Sequence, residues 1–468
     1  MGILIRNCCV ASMDPNVGNL DRADIRIEQN RIVEIRAQLP VGTETVIEGE
    51  GLIATPGFVD AHRHLWEGAM RAVTADWSIL DFAGNIRAHA AQFFRPEDMY
   101  ATALHGCLEA LNAGVTTVAD YCHNVRTHDH AYRTIAGIRA SGIRAMWGYS
   151  FTGLASDARA DSGLDAEMAF AKILHAEEFA DDGLVRMAIC PSEPFTWHQN
   201  DHGRTQFEFA RKLGVRMFMH GNSVPQPDGS PPREVDRLQA IGALGSDLAL
   251  VHMGFTQADE WAALGHAGCH AVFTPDTELQ MGLGSPPIEE ATSAGVTVAL
   301  GCDITANNSA DLFNQMRLAL QCERGRMMAA QPGRAFRTGA PIDCAQALHW
   351  ATMGGAEACG LGQEIGSLTP GKKADIVLLQ TNDISLAGWD RTNPAATVVL
   401  QSGVHNVDTV IVDGVIVKRR GKLTADTAPV IAALEATTSY IRKQVEAAGG
   451  FNAAEDVLFH RLGFGAAG

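Results

Sequence analysis

The chain has 468 residues, 46% of them apolar and 19% charged, with a formal net charge of −17. This balance is that of an ordinary globular protein and excludes disordered, fibrous and collagen-like classes; the length exceeds what one core usually holds and predicts a large domain with a smaller companion. The acidic excess leaves no surplus of Lys and Arg to neutralise phosphates, which disfavours nucleic acid and anionic membrane surfaces as partners.

In chain order, the opening "MGILIRNCCVASMD" carries charge too early, and too short an apolar run, for a secretory leader, and reads as a strand. No run approaches the roughly 20 apolar residues that span a bilayer, so a cytoplasmic location is expected. The 10 cysteines sit in apolar contexts such as "MAICPS" with no CxxC pair, as buried thiols rather than disulfides or zinc knuckles. Residues 1–55 alternate and turn like short strands: "ILIRNCCV", "ADIRIEQNRIVEI", "TVIEGEGLIA".

From 57 to 303 a short β-branched apolar run recurs eight times: "GFVDAH", "VTTVAD", "IRAMWGYS", "VRMAICP", "VRMFMHG", "LALVHMG", "HAVFTP" and "VTVALGCD". The intervals carry helix patterns. "RPEDMYATALHGCLEALNAG" opens with Pro and two acids and stops at Gly114, and "DHAYRTIAGIRASG", "GRTQFEFARKLG" and "TQADEWAALGHAG" also end in Gly. Strand, helix, Gly, strand, repeated eight times, predicts an α/β fold whose parallel strands close into a (β/α)8 TIM barrel; an open doubly wound sheet is the alternative. The strand texture resumes over 366–423 in "GSLTPGKKADIVLLQ" and "NVDTVIVDGVIVKRRGKL", so both chain ends are expected to form one β-sandwich domain that the barrel interrupts. The expected division is 1–55 for the first part of the sandwich, 56–365 for the barrel, 366–426 for the second part, and 427–468 for a terminal helix and tail. The connections 65–94 and 304–344 read as long loops and lids over the catalytic face.

Polar residues gather at the carboxyl ends of the strands, where barrel chemistry sits: His62 and His64 after the first, Asp120 after the second, Glu193 after the fourth, His220 after the fifth, His252 at the end of the sixth and Asp303 after the eighth. Side chains at i and i+2 of a strand share a face, so "PGFVDAHRHL" presents two imidazoles together, a spacing suited to metal. His220 and Asp303 complete three nitrogens and one carboxylate. Each has a plainer reading, a solvated pair for His62 and His64, a core histidine for His220, a helix cap for Asp303; all four at one barrel mouth favour a site.

"GLIATPGFVDAHRHLW", "MHGNS", "LVHMGF", "TPDTELQMG" and "LGCDITANNS", in this order and closed by "GSLTPGKKADIVLL", resemble the amidohydrolase superfamily over nearly the whole chain. Within it the likeness is to the branch of triazine hydrolases, chlorohydrolases, cytosine-type deaminases and phenylurea or thiocarbamate hydrolases. The resemblance implies a distorted barrel with a composite β-domain and one catalytic divalent metal ion, zinc favoured over iron or cobalt. His62, His64, His220 and Asp303 match the metal ligands, His252 the histidine that hydrogen-bonds substrate or hydroxide, and Asp303 also the base. Many members carry Glu three residues after the strand 5 histidine as a proton shuttle; here that position is Ser223. Strand 4 offers no Lys to bridge two metals. Glu193, and more weakly Glu67, stand as replacement acids, and Trp66, Trp77, Gln280 and Asn307 as substrate contacts, with Phe151 and Trp197 as further loop aromatics.

A divalent cation lowers the pKa of bound water from about 15.7 to about 7 and so yields a hydroxide nucleophile at neutral pH. The expected activity is therefore metal-dependent hydrolysis of a non-peptide C–N bond in a small amide, urea, carbamate or heteroaryl amine. Heteroaromatic C–Cl hydrolysis is the alternative, since chloride leaves without a proton; a non-catalytic binding protein of the same fold is the remote one. The expected partners are a small-molecule substrate and copies of the chain in a homo-oligomer, a dimer or larger, with neither nucleic acid nor membrane.

Overall fold

The computed structural model describes residues 2–151, 163–179, 183–197, 200–333 and 338–451. The N-terminal alternation forms β1 (Ile3–Ala11), β2 (Asn19–Glu28), β3 (Arg31–Arg36), β4 (Thr45–Glu48) and β5 (Leu52–Pro56). The eight apolar runs form β6 (Phe58–Arg63), β7 (Val115–Cys122), β8 (Arg144–Ser150), β9 (Val185–Cys190), β10 (Arg216–Gly221), β11 (Leu248–His252), β12 (His270–Phe273) and β13 (Thr297–Leu300). Then come β14 (Ile376–Gln380), β15 (Val407–Val412), β16 (Val415–Arg419) and β17 (Lys422–Leu423).

β6 to β13 lie in sequence order in one eight-stranded parallel sheet, each strand beside its successor. Alternate residues point inward, and most are small: Val59, Ala61, Ala119, Tyr121, Ala188, Cys190, Ala249, Val251, Val272 and Ala299 share one buried cluster. Ala356, Ala358, Leu361 and Ile365 join that cluster, and Gly354 lies against Val298 near the start of β13, so the floor of the barrel is plugged by chain that follows it. Only the carboxyl-end mouth is left for chemistry.

The barrel shuts without a regular ladder. β13 meets β6 through backbone bonds at the mouth, Asp303 N–H donating to His62 O at 2.9 Å and His64 N–H to Asp303 O at 3.0 Å. Gly301 makes the approach possible, since a Cβ there would lie 2.7 Å from His62 O.

The chain ends form a second, nine-stranded sheet in the order β17-β16-β15-β14-β5-β1-β2-β3, with β4 on β1. Its centre joins the two ends: β5 pairs in parallel with β1 and antiparallel with β14, Ile53 lying opposite both Cys9 and Leu379. Ile25, Ile27 and Ile32 near one edge share a core with Ile376, Leu378 and Ile411, so the sheet folds over on itself as the sandwich reading expects. Arg144 at the start of β8 links the two units, reaching Asp375 at 2.9 and 3.0 Å and Asp413 at 3.0 Å.

Helices cover the barrel at Pro96–Asn112, His128–Ser141, Gly163–Glu178, Asn200–Leu213 and Ala258–Ala267, and Ala428–Ala447 packs on the first of these. The two long loops are corrected by the structure. Residues 65–94 hold helical turns at Leu65–Met70, Ile79–Phe82, Ala83–His89 and Ala90–Phe93, and 304–344 contains the helix Leu312–Ala330. Asp311 caps that helix by accepting from Asn314 N–H, and its apolar residues face more than one neighbour, which blurs the single stripe sequence periodicity relies on. Among the described residues no helix is long and apolar enough to cross a membrane.

Candidate active site

Three strand ends, those of β6, β10 and β13, deliver the four predicted ligands to one point. Nε2 of His62 is 3.2 Å from Asp303 Oδ1, Nε2 of His64 is 3.4 Å from the same oxygen, and Nε2 of His220 is 3.4 Å from Nε2 of His62. A tetrahedral ion with bonds of roughly 2.0–2.1 Å requires ligand atoms about 3.3–3.4 Å apart, so these edges fit a divalent metal.

Hydrogen bonding fixes which nitrogens are bare. His64 Nδ1 is 2.7 Å from Tyr121 O, which only accepts, so Nδ1 carries the proton and Nε2 faces the centre. His220 Nδ1 donates to Glu193 Oε1 at 3.1 Å with the same result. Burial is the main cause of lowered basicity in all three rings, with neighbouring histidines adding to it; His220 falls to about 4. Neutral imidazoles with their lone pairs turned inward suit a cation. For Asp303 burial pushes the carboxyl up, but His62, His252 and His64 outweigh it and hold it below its ordinary value.

The backbone is bent at the same points. Asn222 (φ 44°), His252 (φ 73°), Met253 (φ 59°) and Asp303 (φ 60°) adopt the left-handed region, sparsely populated by non-glycine residues, as β10, β11 and β13 end. His252 thereby turns over the ligand group. Its Nδ1 lies 3.1 Å from Thr274 Oγ1 and 3.5 Å from Glu278 Oε1, and Glu278 is itself anchored by Thr274 N–H at 2.7 Å. Burial pushes His252 down, yet Glu278 and Asp303 hold it above its ordinary value.

Glu193 does not stand free as a proton shuttle. Its Oε1 binds both His220 and, at 3.3 Å, Arg87 Nη1; burial would raise the carboxyl, but Arg87 and His220 bring it down to about 2. It orients the His220 ring. Three expected substrate contacts have partners within the protein: Trp66 is buried and donates from Nε1 to His123 Nδ1 at 2.8 Å, Trp77 packs on Phe451, and Gln280 donates to Ala75 O at 2.6 Å. Phe151 and Trp197 are buried in the core. Asn307 differs: it is buried and neither its Oδ1 nor its Nδ2 has a hydrogen-bond partner.

Glu278, Arg87 and His123 carried no readable signal in the sequence. Glu278 and Arg87 act through partners on other elements. Asp120, noted at its strand end, holds Leu65 N–H at 3.0 Å and so positions the turn after His64. Glu67 and His123 are fully buried beside His64, and burial drives the Glu67 carboxyl well above the usual carboxylate range.

The model of the amidohydrolase family matches residues 53–417, and the chain belongs to that family. It is 28% identical over 417 residues to a 5'-deoxyadenosine deaminase of Methanothermobacter thermautotrophicus, covering 87% of this chain and 92% of that one. It is also 28% identical over 435 residues to a 5-methylthioadenosine/S-adenosylhomocysteine deaminase of Moorella thermoacetica, covering 90% and 95%. A zinc complex of an atrazine chlorohydrolase from Arthrobacter aurescens superposes with a TM-score of 0.82 at 25% identity, covering 94% of this chain and all (100%) of that chain. An adenosine deaminase from Xanthomonas campestris with bound zinc shares the fold, with a TM-score of 0.83 at 24% identity and coverage of 94% and 98%. The chain is thus an amidohydrolase-type, metal-dependent hydrolase of small molecules, and its histidine and aspartate cluster suits a divalent ion.

Proposed function

We propose that this protein hydrolyses a C–N bond of a small amide, urea, carbamate or heteroaryl amine, with one zinc ion held by His62, His64, His220 and Asp303. The convergence of those four side chains at tetrahedral spacing, with His64 and His220 locked in the ligating tautomer, carries the reading. A purely structural role for this arrangement would leave bare nitrogens facing one another, which is unfavourable. When bound, a divalent cation supplies Lewis acidity, polarising the electrophile and making water a nucleophile at neutral pH.

The protein's own groups do the rest. Asp303, held ionised, accepts a proton from the attacking water at its carboxylate. His252, braced at Nδ1 by Thr274 and Glu278, offers Nε2–H to the oxygen or ring nitrogen on which charge develops. The Asn307 amide, with a donor and an acceptor both unpaired, matches an amide edge or a ring nitrogen beside an N–H. Deaminase relatives support a heteroaryl amine as the substrate class.

Ser223 favours one second reading. A serine hydroxyl does not protonate a departing amine at neutral pH, and chloride needs no proton, so hydrolysis of a heteroaromatic C–Cl bond is the alternative. The test is the metal-loaded protein on aminopyrimidines, aryl ureas, carbamates and chlorotriazines, assayed for amine or ammonia against chloride. Chloride release without amine would replace the C–N reading. We further propose a cytoplasmic homo-oligomer: ten cysteines that form no disulfide suit a reducing compartment, and light scattering tests the assembly.

A further inference from the structure

Beside the ligand group lies a second set of polar side chains. Glu67 sits in the turn Leu65–Met70 that follows β6, is 0% exposed, and has no hydrogen-bond partner at either carboxyl oxygen. His123 lies beside it, with Nε2 3.8 Å from Glu67 Oε1 and equally unpartnered. His123 is held rigidly: its ring stacks on His64 with centroids 4.3 Å apart, and Trp66 Nε1–H donates to its Nδ1 at 2.8 Å. A ring that accepts at Nδ1 carries its proton at Nε2 when neutral, so that N–H is turned toward Glu67.

Burying a carboxyl with no partner costs several kcal/mol, and native proteins retain such groups chiefly where a ligand or reaction completes them. Glu67, His64 and His123 could together hold a cation, since their ligand atoms lie within 4.8 Å of one another. That use conflicts with the first site. His64 has its Nδ1 engaged with Tyr121 O, which leaves a single lone pair, at Nε2, already directed at Asp303 and the other ligands.

We propose that Glu67, backed by His123, is the group that delivers a proton to the departing nitrogen, taking over the work of the acid that Ser223 cannot perform. The inference rests on the C–N reading above. The O–C bond forms from water, whose proton passes to Asp303. As the C–N bond breaks, its electron pair stays with nitrogen and takes the proton from the Glu67 carboxyl. The resulting carboxylate accepts the Nε2–H of His123 as a hydrogen bond. Return of the proton from Asp303 to Glu67 through solvent restores the starting state, so water is added overall and one amine is released.

The experiment compares Glu67→Gln with wild type on two substrates sharing one heteroaromatic ring, one with an amine and one with a chloride leaving group, and measures bound metal in both proteins. The expected result is one ion per chain in each, amine release slowed by on the order of 100-fold or more, and chloride release within about tenfold of wild type. Equal slowing of both substrates, no slowing of either, loss of metal in the variant, or two ions per wild-type chain each overturns the proposal. If Glu67→Gln fails to fold, Glu67→Ala assayed with added formate takes its place: recovery of amine release supports Glu67, and none counts against it. Wild type that releases no amine from any substrate removes the C–N reading and this inference with it; active wild type with an equally active variant removes only the inference.

Discussion

Glu193 meets His220 at 3.1 Å on the nitrogen that faces away from the other ligands. A carboxylate in that position makes the imidazole a better ligand and holds its plane, and such partners typically contribute 10–100-fold to metal affinity. Glu193→Ala is therefore expected to weaken metal binding by roughly that factor while saturating metal restores most of the activity. Competition with a chelator measures it. Unchanged affinity with lost turnover would return Glu193 to the reacting atoms.

His220→Ala and Ser223→Ala separate the two halves of "MHGNS". The first is expected to lose metal and activity together, because it deletes a corner of the tetrahedron. Ser223→Ala is expected to keep stoichiometric metal. Metal analysis of the purified variants decides, and release of metal by the serine variant would mean that the loop after β10 has been misread.

Gly301 tests how the barrel closes. A methyl group there meets His62 O, N and Cβ at 2.7, 2.8 and 2.9 Å, all of them backbone or backbone-fixed atoms that yield little. Gly301→Ala is expected to cost about 1–3 kcal/mol and to reduce metal affinity as well, since His62 must move. Thermal denaturation with and without added metal reads both effects.

Arg144, buried with Asp375 and reaching the half-buried Asp413, joins the barrel to the folded-over sheet. Replacing it with Met leaves buried Asp375 without its cation, while Asp413 keeps Lys373 at 3.5 Å, and an expected loss is about 3–5 kcal/mol. Urea denaturation checks this. A loss below about 1 kcal/mol would show that water reaches the pair and that the link is weak.

Glu234, which accepts from Asn222 N–H in the turn after β10, predicts a pH dependence of stability. Burial raises its carboxyl to about 7, against the lowering effect of Asn222 N–H, while an unfolded chain ionises it near 4.5. Between these values the folded state holds a proton that the unfolded state has released. Its stabilising contribution is thus intact below about 4.5 and fades as pH rises through 7, by roughly 3 kcal/mol in all. Glu234→Gln keeps the acceptor for Asn222 N–H and removes the ionisation. Its melting temperature should gain on wild type between pH 5 and pH 8; an unchanged difference would contradict the assignment.

The barrel was legible because eight repeats of one pattern reinforce each other, and His62 with His64 because strand geometry ties spacing to facing. His220 and Asp303 needed only the further rule that barrel chemistry collects at strand ends. What stayed hidden depends on pairings between distant elements. An acid at the end of β9 suits a shuttle and an orienting partner equally, and only its distance to His220 tells them apart. Glu278, Arg87, and the Glu67 and His123 pair lie on separate turns whose meeting no local period encodes. Trp66 and Gln280 show the converse, since their N–H groups donate to His123 and to Ala75 O, partners that the sequence does not reveal.

The pairing of β5 with both β1 and β14 imposes an order of events on biosynthesis. Until Ile376–Gln380 leaves the ribosome, β5 presents an unpaired edge, and the barrel between them is complete in sequence before its neighbour can shut. A nascent or truncated chain ending anywhere before residue 376 therefore carries an open, apolar strand edge, a template for pairing with other chains. Loss of the C-terminal segment from Ile376 onward, which carries none of the four ligand side chains, should be felt first as aggregation during synthesis and only secondarily as lost turnover.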